Sequence, residues 1–292
     1  MAVTIWSGLT LGAIYALVAT GFTLTLLPTG VFNFAQGALV VGGSFMAYEW
    51  MTSLGISQIP ALFLNAGFGA LGGLACELLA VRPLRLGRRR LTGTSELVTT
   101  VGMSTLLIGI IGIKWGYLAL QVPFNGPTAF VHFLGIAAQP IQIIVVALAV
   151  VLSVALHFWF RHTRLGQACL AVAEDREAAM LRGVNVNLLS LGAFAAAGAI
   201  GAVIGALTGP ITYAVPTLGT TLALGGFVAI ALGGEGSFLG GLLGGLLVGL
   251  ASAFATRYIN ANYSDISVLV LLLVTLGLRP RGLGGTAQAR HV

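Results

Sequence analysis

The sequence predicts an all-α membrane protein, a polytopic bundle of about nine transmembrane helices (eight is the alternative count), with its N-terminus outside and its C-terminus cytoplasmic. Three observations carry this. Hydrophobic residues make up 57% of the 292 positions and charged residues 8%, with a mean hydropathy of +1.00. A soluble domain carries about 25% charged residues, so this chain could not cover its own surface with polar groups. The apolar runs are about 20 residues long, the length of a helix crossing a ~30 Å hydrocarbon core. They also lack the strict alternation of a membrane β-barrel.

The elements follow in order. The first span is expected over about 4–27, ended by Pro28-Thr29-Gly30. Its start has no basic region and no small-residue cleavage site, so it reads as a retained span rather than a signal peptide. The second covers about 32–52 and opens on the polar run Asn33-Phe34-Ala35-Gln36-Gly37, where a broken or re-entrant helix is the alternative. The third covers about 59–81, followed by the basic loop 82–90, and the fourth about 95–116. Residues 117–139, with Pro123 and Pro127, read as an extended outer loop with room for a short surface helix. Further spans are expected over about 141–160, 188–208, 217–232, 238–256 and 266–278, with Pro210 and Pro216 bracketing a break. The whole of 1–292 reads as one transmembrane domain containing one large polar loop, 161–187.

Arginine placement orients the chain. The loop 82–90 holds five, the loop 161–187 four and the tail three, while the opposite loops hold only Arg257. Positive charge stays on the cytoplasmic side. The net charge of +6 therefore reflects topology and implies membrane lipid, with no nucleic acid as a partner.

Catalysis finds no constellation. His132, His157, His162 and His291 form no metal-ligand spacing, so no metal is expected. Cys76 and Cys169 read as small apolar filler. The single lysine, Lys114, stands in no phosphate-binding glycine loop, so any ATP would have to be bound by another polypeptide. Glu49, Glu77, Glu96 and Lys114 lie near span ends, and Glu77 stands about one turn from Arg82, where a local ion pair or snorkelling explains it. No carboxylate, histidine or lysine falls near a span centre, which counts against proton- or ion-driven transport.

The remaining polar positions inside spans are Asn33, Gln36, Asn65, Thr100 and Ser104. Amides in a bilayer need partners, so they either bridge helices or line a translocation path. There are 42 glycines, too many for turns. Gly201 and Gly205, like Gly240 and Gly244, fall four apart and so share a helix face, as in close helix packing.

The loop 161–187 holds four arginines and three acids between apolar spans. Glu174-Asp175-Arg176-Glu177-Ala178-Ala179-Met180-Leu181-Arg182 are good helix formers with acids early, and Gly183 stops them. A short helix over 174–183 is expected, with a shallow surface at Ala178 and Ala179 and apolar knobs at Met180 and Leu181.

Glu177-Ala178-Ala179 followed by Gly183 resembles the EAA loop of ABC importer permeases, without the proline that often follows it. Gly12-Ala13-Ile14-Tyr15-Ala16-Leu17, Asn33-Phe34-Ala35-Gln36-Gly37, Thr163-Arg164-Leu165-Gly166-Gln167-Ala168, Leu232-Gly233-Gly234-Glu235-Gly236-Ser237 and Arg279-Pro280-Arg281-Gly282-Leu283 resemble branched-chain amino acid permeases of the LivH type. The resemblance implies a non-enzymatic permease subunit of the bacterial inner membrane that forms the path with a second, homologous permease. It implies two cytoplasmic ATPases that carry the ATP, and a periplasmic or lipid-anchored binding protein. Glu174, Asp175, Arg176, Glu177, Ala178, Ala179 and Gly183 would then be the ATPase-coupling residues. The same pattern serves branched-chain amino acids, urea, short amides and aromatic acids. A self-contained ion-coupled carrier and a non-transporting scaffold are the readings from other classes.

Overall fold

Long apolar segments fold as helices because the bilayer offers main-chain groups no other partners. The structure is a computed structural model, and it describes residues 1–86, 93–127, 131–133, 136–260 and 263–278. Arg88, Arg89 and Arg90 and the tail arginines Arg279, Arg281 and Arg290 lie outside the described residues.

Helix α1 runs Ala2–Thr29 with Pro28 in its last turn, and Gly30 closes it with φ 72°, donating to the Leu26 carbonyl at 2.7 Å. Residues 31–35 are not helical, and α2 begins only at Gln36, running Gln36–Tyr48 into a π turn, Glu49–Ser53. Helix α3, Gln58–Cys76, passes into a second π turn, Glu77–Val81, and then α4, Arg82–Leu86. Helix α5 is Gly93–Trp115. The outer-loop region carries a two-stranded antiparallel hairpin, β1 Val131–Phe133 against β2 Ile136–Ala138, rather than a surface helix. Then come α6 Pro140–His162, α7 Arg164–Glu174, α8 Arg176–Leu181 and α9 Val186–Thr212. The chain ends with α10 Leu218–Gly233, α11 Phe238–Tyr258 and α12 Ser264–Leu278.

Six of these helices are long and apolar enough to cross a membrane among the described residues. The expected second, seventh and ninth spans are short. Helix α2 has 13 residues, 18 with the π turn that continues it, and α10 has 16, lengths of ~27 Å with that turn and ~24 Å at 1.5 Å per residue. The reason for α2 and α10 lies in the breaks before them. Pro210 does not end α9 but sits inside it, and the second break falls at 213–217, after Tyr213 with φ 60°. Helix α2 therefore begins inside the bundle, with Asn33, Ala35 and Gln36 fully buried, and α10 begins beside it with Gly219 buried and Thr217 and Thr220 exposed. Their first turns meet there, because a Cβ on Gly37 of α2 would run into the Gly219 carbonyl of α10.

The packing shows an internal repeat that the sequence hides. Helix α1 packs most heavily on α11, and α3 on α9, while α2 lies against α9 and α10 against α1. One sequence offset relates Gly12 to Phe194, Ala16 to Gly198, Pro28 to Pro210 and Gly37 to Gly219, and a second relates Gly69 to Gly245 and Gly73 to Gly249. The contacts obey these offsets. Gly69 meets Gly198 and Gly73 meets Phe194, as Gly245 meets Ala16 and Gly249 meets Gly12. The units α1–α2–α3 and α9–α10–α11 are two copies of one plan, each lending its third helix to the other's first. The paired positions share backbone contacts more than residue types, as Gly12 against Phe194 shows, so only loosely similar glycine-rich segments are visible in the sequence.

The stripe glycines sit in this packing. Gly205 faces the Val40 main chain, Gly201 the Gln36 side chain, Gly240 the Gly233 main chain and Gly244 the Ala229 main chain. Phe22, Phe45, Phe194, Ile14 and Leu17 fill the core between the crossings. Added volume at Gly205, Gly240 and Gly244 is expected to cost about 1–3 kcal/mol, because a backbone partner cannot move aside. Gly205→Ala should lower the midpoint of thermal unfolding in detergent by several degrees. Gly67→Ala, where a Cβ would meet nothing within 4 Å, should leave it unchanged or raise it.

Candidate functional site

The polar loop folds as two helices with a corner between them. Thr163 ends α6 and caps α7, its hydroxyl accepting from the Gly166 N–H at 3.1 Å. Gly166 has to be small, since a Cβ there would lie 2.6 Å from the Phe160 carbonyl oxygen. Gly166, Cys169 and Val172, three apart on α7, form its buried face. Cys169 packs with Leu24 and Leu27 of α1, Phe160 of α6, Ala197 of α9 and Phe238 of α11, so α7 is fixed to the end of the bundle. Burial pushes the Cys169 thiol up to about 11, which leaves it neutral and unreactive at neutral pH.

The expected single helix over 174–183 is corrected here. Glu174 is the last residue of α7, and Asp175 is extended, with φ −149° and ψ 105°. Asp175 caps α8, its Oδ1 accepting from the Glu177 N–H at 2.9 Å and the Ala178 N–H at 3.0 Å. Such a cap contributes about 1 kcal/mol. The other end closes as a Schellman motif. The Gly183 N–H donates to the Met180 carbonyl at 3.0 Å and the Val184 N–H to the Ala179 carbonyl at 3.1 Å, with Gly183 left-handed at φ 84°.

The expected surface at Ala178 and Ala179 is also turned round. Ala179 is buried against Val172 and Val186, and Ala178 is half-buried. Met180 and Leu181 face outward, as expected of the knobs, and Glu177 does too, with Leu181 90% exposed. A helix this short spends its small residues on its own seat, and its large apolar ones stand free.

The second site is the junction where α2 begins. The Asn33 Oδ1 accepts from the Ala35 N–H at 3.2 Å, and Gln36 Nε2 donates to the Ala197 carbonyl of α9 at 2.9 Å. Gln36 is wedged between Gly21 of α1 and Gly201 of α9. Thr100 of α5 donates its hydroxyl proton to the Phe32 carbonyl at 3.2 Å. Phe22, Phe32, Phe34 and Phe227 surround the break with ring centroids 5.4–6.2 Å apart. Asn33, Gln36 and Thr100 thus come together around one break, and Ser104 is buried one turn further along α5. Asn65 lies apart on α3, fully buried, with neither amide atom bonded among the described residues. All five are buried within the single chain.

Sequence reasoning missed α7 as a separate helix, although Thr163 three residues before Gly166 was a visible cap. It also did not foresee a contact between Glu77 and α9. Glu77 is only 3% exposed and its Oε1 accepts from the Ser190 hydroxyl of α9 at 2.7 Å.

Apolar helices around a broken-helix junction, with an exposed helical knob at one end, define a multi-pass membrane protein. A family described as the permease component of branched-chain amino acid transport systems matches residues 4–276. Similar proteins include the high-affinity branched-chain amino acid transport system permease protein LivH of Escherichia coli K12, 30% identical over 98% of this chain and 96% of that one. The corresponding BraD of Pseudomonas aeruginosa is 32% identical over the same shares. Among solved structures, PsaBC from Streptococcus pneumoniae in complex with Fab shares the fold, with TM-score 0.51 and 13% identity, over 94% of this chain and 91% of that chain. The chain belongs to the branched-chain amino acid transport permease family.

Gly183→Ala puts a Cβ into a left-handed position and should cost the loop about 1–2 kcal/mol. Gly183→Asn should cost less, and limited proteolysis between α7 and α9 ranks the two. Alkylation of Cys169 at neutral pH should be slow in the native protein and fast after denaturation in SDS. Equal rates would contradict its burial.

Proposed function

We propose that this protein is a permease subunit of an ATP-binding cassette importer for branched-chain amino acids. The observation that carries the reading is the α8 knob, Glu177, Met180 and Leu181, exposed at the end of a chain of this family. An apolar side chain standing 90% free in water gains about 1.5–3 kcal/mol when a partner covers it. The partner proposed is a cytoplasmic ATPase, one of two, on which ATP is bound. A second, homologous permease completes the path, and a periplasmic or lipid-anchored binding protein delivers the ligand.

Nine membrane-embedded segments in the bacterial inner membrane, with α1 starting outside and α12 ending inside, put the α7–α8 end in the cytoplasm. The arginine distribution supports this orientation. The ATPases close when they bind ATP and press on α8. The push passes through the short turns at Thr163 and Gly183 into α6 and α9. Asn33, Gln36, Thr100 and Ser104 then belong to the gate, because a helix break is where a small tilt opens main-chain and amide groups to a passing ligand. Asn65 supplies a further amide on α3.

Leu181→Glu and Met180→Glu leave the caps of α8 intact and should reduce co-purification of the ATPases at least 10-fold, the loss of about 1.4 kcal/mol or more. Undiminished co-purification and uptake in both variants would contradict the docking role. A ligand screen on the cognate binding protein that found sugars alone would contradict the substrate class.

A further inference from the structure

Glu77 and Ser190 form a buried polar contact that helix packing alone does not require. Glu77 opens the π turn Glu77–Val81 at the end of α3, and Ser190 lies fully buried in the first turns of α9. The two sides of the internal repeat offer a control within one molecule. The offsets that relate α1 to α9 and α3 to α11 carry Ser190 onto Gly8 and Glu77 onto Ala253. Those two residues also meet, since a Cβ on Gly8 would lie 3.1 Å from the Ala253 Cβ. There the crossing is apolar, and α11 runs through Ala253 as ordinary α-helix. One crossing therefore forms with a glycine and an alanine, while its counterpart carries a carboxylate, a hydroxyl and a π turn. A buried carboxylate is costly to desolvate, and a π turn is poorer than the α-helix it interrupts. The asymmetric pair lies at the end of α9 that follows the polar loop, and the plain pair lies at the start of α1.

The surroundings of Ser190 give the contact its use. Ala179 of α8, Val172 of α7 and Val186 of α9 form one cluster, and Leu189, the neighbour of Ser190, packs on it. Asn185 starts α9 by accepting from the Leu188 N–H at 3.1 Å, four residues after Leu181 ends α8. Movement of α8 must carry the start of α9 with it. Ser190 then either drags Glu77 or lets it go, and the π turn is the weakest point of α3 to yield.

We infer that the Glu77–Ser190 hydrogen bond is a latch through which displacement of α8 enters α3, making both positioning residues of the transport cycle. The inference rests on the importer reading above. A latch of this kind adds no affinity for the ATPase and takes no part in hydrolysis. It decides how much of the movement of α9 reaches the α2–α3 hairpin and with it the junction at Asn33 and Gln36.

The test uses the assembled transporter in proteoliposomes with its binding protein and leucine, and reads the ratio of leucine taken up to ATP hydrolysed. Ser190→Ala removes the donor and is mild at a buried helical site. It should assemble with its ATPases and hydrolyse ATP like the wild type, while the ratio falls roughly 5-fold or more, the size of an ordinary coupling between sites. Glu77→Leu should behave likewise, and Glu77→Gln, which keeps an acceptor oxygen for Ser190, should retain most of the ratio. A wild-type ratio in Ser190→Ala overturns the latch. So does a loss of yield and thermal stability across the variants at an unchanged ratio, which is what a merely structural contact would give. Failure of the importer reading looks different, because the wild-type complex itself would then show no ATP-dependent uptake.

Discussion

Where α1 crosses α11 and α3 crosses α9, glycine lets main chain lie on main chain, and the positions of the other helices follow from those two crossings. Inside a bilayer no hydrophobic effect drives helices together, so association relies on close van der Waals contact and a few hydrogen bonds. Gly245 on Ala16, Gly249 on Gly12, Gly69 on Gly198 and Gly73 on Phe194 supply that contact. They hold α1 and α9 side by side, with α2 starting within the bundle and the first turn of α10 against it. The broken helices, with their buried amides and phenylalanine ring cluster, are thus a consequence of the glycine crossings.

Such crossings are close but poor in interlocking side chains, which suits a machine that must move. What resists movement is polar. Gln36 ties α2 to the Ala197 carbonyl, Thr100 ties α5 to the Phe32 carbonyl, and Ser190 ties α9 to Glu77. Glu49, which opens the other π turn, accepts from the Trp115 indole at 2.9 Å. The α2–α3 hairpin is therefore held at both of its π turns by a carboxylate bonded to another helix. These few directional bonds set which tilts are easy, and the glycine faces set how far they go.

Much of this was legible in the sequence. Apolar runs gave the long helices to within a few residues, because a bilayer leaves a 20-residue apolar run little choice. The EAA loop and the distributed motifs led to the right family, and Gly183 was read correctly as a stop. Three things were not legible, each for a physical reason. The corner at Asp175 was hidden because Asp is both a cap and a tolerable first-turn residue, so propensity does not separate one helix from two. Ala179 was placed outside because a six-residue helix shows too little periodicity to orient it. The Glu77 contact with Ser190 was not foreseen because the two lie 113 residues apart, and no local pattern reports a contact of that span. The Asn33–Gln36 run was recognised as polar within a span, but its role as a wedge depends on Gly21 and Gly201 from other helices.

The central claim is that α8 is a handle held by an ATPase and rigidly joined to α9. Hydrogen–deuterium exchange tests it most directly, comparing the isolated permease with the permease bound to its ATPase subunits. The account predicts strong protection of residues 176–183 in the complex and altered exchange across the Glu77 π turn when ATP is added. The hairpin of β1 and β2 should be unchanged by the ATPases. Unprotected exchange at 176–183 in a complex that still hydrolyses ATP and transports would contradict it.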